Sequence, residues 1–245
     1  NTFNISTLSC FLIAGAGQSV AKHGNYGAST ISGASNLMES LGYLFKNNPD
    51  ALKKELDQAG MCFLHAPQFH PGLKNVAPVR KNLKVRTFFN MLGPLVNPAN
   101  PTYQLIGVYN LEMARIYNYV LQSENKKYTI VHSFDGYDEV SLTSDVKVVT
   151  PTGDYTLSPE KCGFSLINGD EIWGGNSLQE AAQLFMRILV GQGTPAQNSV
   201  VIANAALGLQ MTPDYQQFDD AVAAAKESLE SGKALGVLKK LIALQ

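Results

Sequence analysis

Three clusters and two outlying residues carry the side chains that could do chemistry. Thr2, Asn4, Ser6 and Thr7 stand directly before an apolar run from Leu8 to Ala16. Hydroxyl and amide side chains in that position mark a helix N-terminus, with Ser6 or Thr7 as the expected cap. The free N–H groups and dipole of such a terminus favour an anion, although the same residues also suit an ordinary cap. Lys22-His23-Gly24-Asn25 closes a strand candidate and opens a loop of small residues: Gly27, Ala28, Ser29, Thr30, Ser32, Gly33, Ala34 and Ser35. Small side chains let backbone N–H groups approach an anion closely, and Lys22 adds a point charge. In Asp135-Gly136-Tyr137-Asp138-Glu139 the last two carboxylates are adjacent, so both serve one site only from a turn. Two carboxylates at the end of a strand suit Mg²⁺, which takes few protein ligands and shares the rest with substrate phosphates; an exposed acidic turn is the plainer alternative. Arg80 is a planar fork suited to a carboxylate. Alone, Arg80 reads as a surface helix residue and His70 as structural.

The elements that must position these residues alternate for most of the length. Helices are expected over Leu8–Ala16, Ser32–Leu41, Pro49–Ala59 and Leu111–Gln122, and strands at Val20–Lys22, Met61–Leu64, Tyr103–Tyr109 and Tyr128–His132. That order predicts an α/β fold, with a mostly parallel central sheet flanked by helices. Short segments at Val140–Leu142, Val146–Val149 and Tyr155–Leu157 suggest antiparallel excursions at a sheet edge. Three helical stretches follow: Leu178–Val190, Pro195–Leu209, and Gln216–Leu244 with a break at Ser231-Gly232. Six of the eleven prolines fall between Ala66 and Pro101, which marks a hinge or crossover inside one domain spanning 1–245.

Composition narrows the classes of function. Hydrophobic residues make up 45% and charged residues 16%, enough for a packed core and too apolar for a disordered chain. A net charge of −1 without a basic run argues against nucleic acid or an anionic membrane as partner. The apolar run near the start is too short and too broken by Gly15, Gly17 and Gln18 to span a bilayer. Cys10, Cys62 and Cys162 are odd in number and far apart, as expected of free thiols in a reducing cytoplasm.

Taken together, Asn4-Ile5-Ser6-Thr7, Lys22-His23-Gly24-Asn25 and Asp138-Glu139 resemble the anthranilate phosphoribosyltransferases. The stretches His70–Arg80, Arg86–Pro98, Phe134–Leu142 and Asn204–Leu207 extend the resemblance over essentially the whole chain. It implies a nucleoside phosphorylase/phosphoribosyltransferase-like fold with part of a helical subdomain. It also implies transfer of phosphoribose from 5-phosphoribosyl 1-diphosphate to the amine of anthranilate, in tryptophan biosynthesis. By motif, Thr2, Asn4, Ser6, Thr7, Lys22, Ser29 and Thr30 would contact the phosphoribosyl substrate, and His23, Asn25, His70 and Arg80 would line the anthranilate route. Ser6 and Glu139 would hold one Mg²⁺, and Asp138 and Glu139 a second; no residue is assigned as an acid or base. Tyr26, Ile31 and Ala34 depart from the Arg, Lys and Ser common in the family. Family members also carry a helical domain and a Gly-Thr-Gly-Gly-Asp turn ahead of the first motif. The chain therefore reads as a C-terminal α/β portion, with 66–101 packing toward that domain. Weak or absent turnover is the expectation for this portion, and a homodimer for the full-length family member. A pyrimidine nucleoside phosphorylase-like enzyme and a non-catalytic nucleic-acid-binding relative are the alternative readings.

Overall fold

The computed structural model describes residues 2–27, 32–72, 91–124 and 126–245. Its first half alternates as expected. Helix α1 (Ile5–Gly15) leads to β1 (Val20–Gly24), then α2 (Ala34–Ser40), α3 (Pro49–Ala59), β2 (Met61–His65) and the short α4 (Ala66–Phe69). After a 3₁₀ turn at Gly93–Val96 come β3 (Tyr103–Gly107), α5 (Leu111–Gln122), β4 (Lys127–Ser133), β5 (Val146–Thr150) and β6 (Gly153–Leu157). Helices α6 (Leu178–Leu189), α7 (Pro195–Gln210), α8 (Phe218–Glu230) and α9 (Lys233–Ala243) complete the chain.

Local chemistry sets several boundaries. Asn48 accepts from the N–H groups of Asp50 and Ala51 to start α3, Pro49 takes the first turn, and Gly60 ends the helix at φ 77°. Thr194 and Gln197 form a reciprocal capping box at the start of α7. That helix is apolar nearly all round, and twelve of its sixteen residues are buried, because it runs through the core. It packs against α1 and α8, while α1 also meets α9. Phe11 of α1 and Phe185 of α6 meet edge to face at 5.8 Å within the same core.

Among the described residues the strands lie in two sheets. Parallel β1 and β2 pair from Val20↔Met61 to Gly24↔His65. The other sheet has the order β3-β4-β5-β6, with β3 and β4 parallel and the last two pairings antiparallel. The antiparallel edge expected at 146–149 and 155–157 is present. Val140–Leu142 is not a strand: Asn204 of α7 occupies the position of a strand partner. Its Oδ1 accepts from Val140 N at 3.0 Å and its Nδ2 donates to Val140 O at 2.8 Å. Leu142 then turns into the left-handed region at φ 59°.

Ser6 and Thr7 are not caps. Burial of Phe3 and Ile5 starts α1 earlier than local composition suggests, placing Asn4 at the N-cap and both hydroxyl residues inside the first turn. No helix among the described residues is long and apolar enough to cross a membrane. Cys10, Cys62 and Cys162 are free thiols, and Cys62 and Cys162 are buried.

Candidate active site

The site lies where the N-terminus of α1 meets the carboxyl end of β1 and the loop after β4. The extended Thr2-Phe3 segment is held by an antiparallel bridge from Thr2 to Trp173, and Phe3 N donates to Ile172 O at 3.2 Å. Gly174 permits that approach, since a Cβ there would stand 2.5 Å from the Thr2 carbonyl oxygen. Glu139 then gathers the segment. Its Oε2 accepts from Thr2 Oγ1 and its Oε1 from Ser6 N, each at 3.3 Å. Lys22, from β1, donates through Nζ to Ser6 Oγ at 3.1 Å. Asn4 donates from Nδ2 to Ser32 Oγ at 3.1 Å, tying α1 to the loop before α2. Four expected site residues, Thr2, Ser6, Lys22 and Glu139, thus form one connected cluster.

Electrostatics at this cluster are unbalanced. Burial first, and then the neighbouring Asp138 carboxylate, push the Glu139 carboxyl up to about 8, against the pull of Ser6 N–H, Lys22 and Thr2. Ser6 offers a hydroxyl, and Asp138 and Glu139 offer carboxyl groups, all of them hard oxygen donors. That chemistry fits Mg²⁺. Among the described residues no group of three or more His, Cys, Asp and Glu could hold a metal.

The turn bearing the two carboxylates is fixed from three sides. Gly107, the last residue of β3, lies so close that a Cβ there would be 1.7 Å from the Asp138 carbonyl oxygen. Ser133 Oγ, at the end of β4, donates to the Glu139 carbonyl at 2.6 Å and accepts from Ser141 N at 3.3 Å. Asn204 holds Val140 as described above. Gly107, Gly174 and Ser133 escaped the sequence reading. A lone Asn in the apolar Val200–Leu209 run was the visible signal for Asn204.

A second cluster stands at the ends of β1 and β2. The rings of His23 and His70 meet edge to face at 5.2 Å. His23 Nδ1 shares a 3.1 Å hydrogen bond with the Gly93 carbonyl, and the Nε2 atoms of both rings are buried without a partner. Burial lowers the His23 pKa, helped by His70, Lys22 and His65, so the ring is neutral at pH 7. Asn25 is exposed, and its Oδ1 accepts from Tyr26 N at 2.8 Å. Thr7 is buried, with an unpartnered Oγ1. Tyr26, which stands where the family commonly has Arg, packs its ring edge-on to His65 and donates to Glu39 at 3.1 Å. Ser29, Thr30, Ile31 and Arg80 lie outside the described residues.

Around this helix N-terminus, lysine and carboxyl pair the chain is a glycosyl transferase: the family described as "Glycosyl transferase family, a/b domain" matches residues 1–235. Within that class, the anthranilate phosphoribosyltransferase of Flavobacterium psychrophilum is 56% identical over 98% of this chain and 73% of its own length. That of Cytophaga hutchinsonii is 53% identical over 99% and 74%. The solved anthranilate phosphoribosyltransferase of Thermus thermophilus superposes with a TM-score of 0.92 at 34% identity, covering 100% of this chain and 74% of the other. A Saccharomyces cerevisiae anthranilate phosphoribosyltransferase in complex with PRPP and Mg gives 0.91 at 29% identity, covering 100% and 70%. The chain belongs to the anthranilate phosphoribosyltransferase family.

Proposed function

We propose that this site transfers phosphoribose from 5-phosphoribosyl 1-diphosphate to the amine of anthranilate, giving N-(5-phosphoribosyl)anthranilate and diphosphate. The observation that carries the reading is the convergence of Lys22 and Glu139 on Ser6. The anthranilate nitrogen lone pair forms the bond to C1 as the C1–O bond breaks, its electron pair leaving with diphosphate. An aromatic amine is neutral at pH 7, so the proton departs after attack and no strong base is needed. Positioning carries most of the rate.

Lys22 and the backbone N–H groups at the start of α1 meet the charge that develops on the leaving group. Thr2, Asn4, Thr7, Ser29 and Thr30 complete the contacts to the phosphoribosyl substrate. Ser6 with Glu139, and Asp138 with Glu139, would hold two Mg²⁺ ions. When bound, Mg²⁺ neutralises diphosphate and so makes it a better leaving group. His23, Asn25, His70 and Arg80 line the route of anthranilate, with Arg80 toward its carboxylate. The buried, unpartnered Nε2 atoms of His23 and His70 support a polar ligand beside those rings. A cytoplasmic location, no nucleic-acid partner and a homodimer for the full-length family member belong to the same reading.

The test is an assay with anthranilate, 5-phosphoribosyl 1-diphosphate and Mg²⁺. Consumption of anthranilate matched by release of diphosphate supports the assignment. Activity on a nucleoside with free phosphate instead would favour the phosphorylase alternative.

A further inference from the structure

His65 is used by none of the roles above. It is the last residue of β2, paired in register with Gly24, and is 5% exposed. Its ring is clamped: it stacks on Phe45 at 4.2 Å and 9°, and meets Tyr26 edge to face at 4.8 Å. Its Nδ1 shares a 2.9 Å hydrogen bond with Ser35 Oγ. Ser35 is itself fully buried, and its backbone N–H donates to the Asn25 carbonyl at 3.1 Å. Ser35 therefore joins His65 by its side chain to Asn25 by its main chain. The stem of the same loop is closed by Asn36, whose Oδ1 accepts from Gly27 N at 2.9 Å and Gly33 N at 3.1 Å.

We propose that His65, acting through Ser35, is a positioning residue that sets Asn25 and the loop stem at the anthranilate end of the site. The inference rests on the phosphoribosyl-transfer reading for its effect on substrate, but not for its effect on the loop. Two alternatives in the molecule make the linkage specific. Phe45 and Tyr26 would pack against any flat ring at position 65, whereas only a polar atom at the place of Nδ1 can hold the buried Ser35 hydroxyl. Loss of either partner frees the start of α2 to shift away from β2, and with it the Ser35 N–H bond to Asn25.

The experiment compares His65→Phe, Ser35→Ala, the double variant and His65→Asn, whose side-chain amide reaches the place of Nδ1. Hydrogen exchange is read at Tyr26, Gly27, Gly33 and Ser35, and the KM for anthranilate is measured beside kcat. Each single variant should speed exchange at those amides by about five- to tenfold, the size of one lost buried hydrogen bond. KM should rise by a similar factor while kcat stays within about twofold. The double variant should be no worse than the singles, and His65→Asn should restore both readouts. Unchanged exchange in both single variants, or additive effects in the double, would overturn the proposal. Exchange decides the positioning role independently of whether the parent chain turns over.

Discussion

Ser6 and Glu139, 133 residues apart, are joined by a 3.3 Å hydrogen bond from the backbone N–H of one to the Oε1 of the other. The bond brings the helix N-terminus, with its partial positive charge, against a carboxylate held in its protonated range by burial and by Asp138. A carboxyl group so placed is costly for stability, and on the phosphoribosyl-transfer reading its position serves the metal it would bind.

Replacing Lys22 with Met removes the point charge beside Ser6 and keeps the aliphatic stem. Affinity for 5-phosphoribosyl 1-diphosphate should fall by roughly tenfold to a hundredfold, the worth of one or two charge-assisted hydrogen bonds. The thermal midpoint should barely move, because the Lys22 contact with Ser6 is exposed. Calorimetric titration with parallel melts checks both, and a large loss of stability would contradict this assignment.

Gly107→Ala should do what no other glycine change near the carboxylates does. Its Cβ would need the space of the Asp138 carbonyl, 1.7 Å away, so the turn must move off β3. A cost of about 1–3 kcal/mol is expected, as for overpacking in a core, together with loss of Mg²⁺-dependent binding. Gly136→Ala is the contrast: it strains a residue at φ 100° but meets nothing within 4 Å. That variant should lose stability and keep Mg²⁺-dependent binding. Urea denaturation and Mg²⁺ titration of the two variants separate the effects.

Asn204→Ala should destabilise the fold by about 2–4 kcal/mol, since it leaves the buried Val140 N–H and the Val140 carbonyl without their partner. Asn204→Asp should be no better, because a carboxylate cannot donate to the Val140 carbonyl. Denaturant midpoints measure both. A variant as stable as the parent would mean that Val140 finds another partner.

Much of this site was legible because its chemistry is local. A lysine before a small-residue loop, a hydroxyl at a helix start and adjacent carboxylates announce themselves by type and spacing. The expected alternation of helix and strand was likewise visible in short apolar runs such as Met61–Leu64. What sequence could not supply was the long-range packing. The cap was misplaced because nothing local says that Phe3 and Ile5 are in the core. Val140–Leu142 looked like a strand because its side chains suit one, and only the fold brings Asn204 across to satisfy its backbone. Gly107 and Gly174 matter solely for what lies beside them, which periodicity does not reveal. Nor does alternation say that, among the described residues, β1 and β2 form a sheet separate from β3 to β6.

The central claim, that Glu139 and Ser6 form the metal end of a diphosphate site, is tested most directly by calorimetric binding of 5-phosphoribosyl 1-diphosphate with and without Mg²⁺. The parent chain should bind at least about tenfold more tightly with Mg²⁺ present, and Glu139→Gln should lose that gain while remaining folded and at least as stable. Equal Mg²⁺ dependence in the parent and in Glu139→Gln would contradict it.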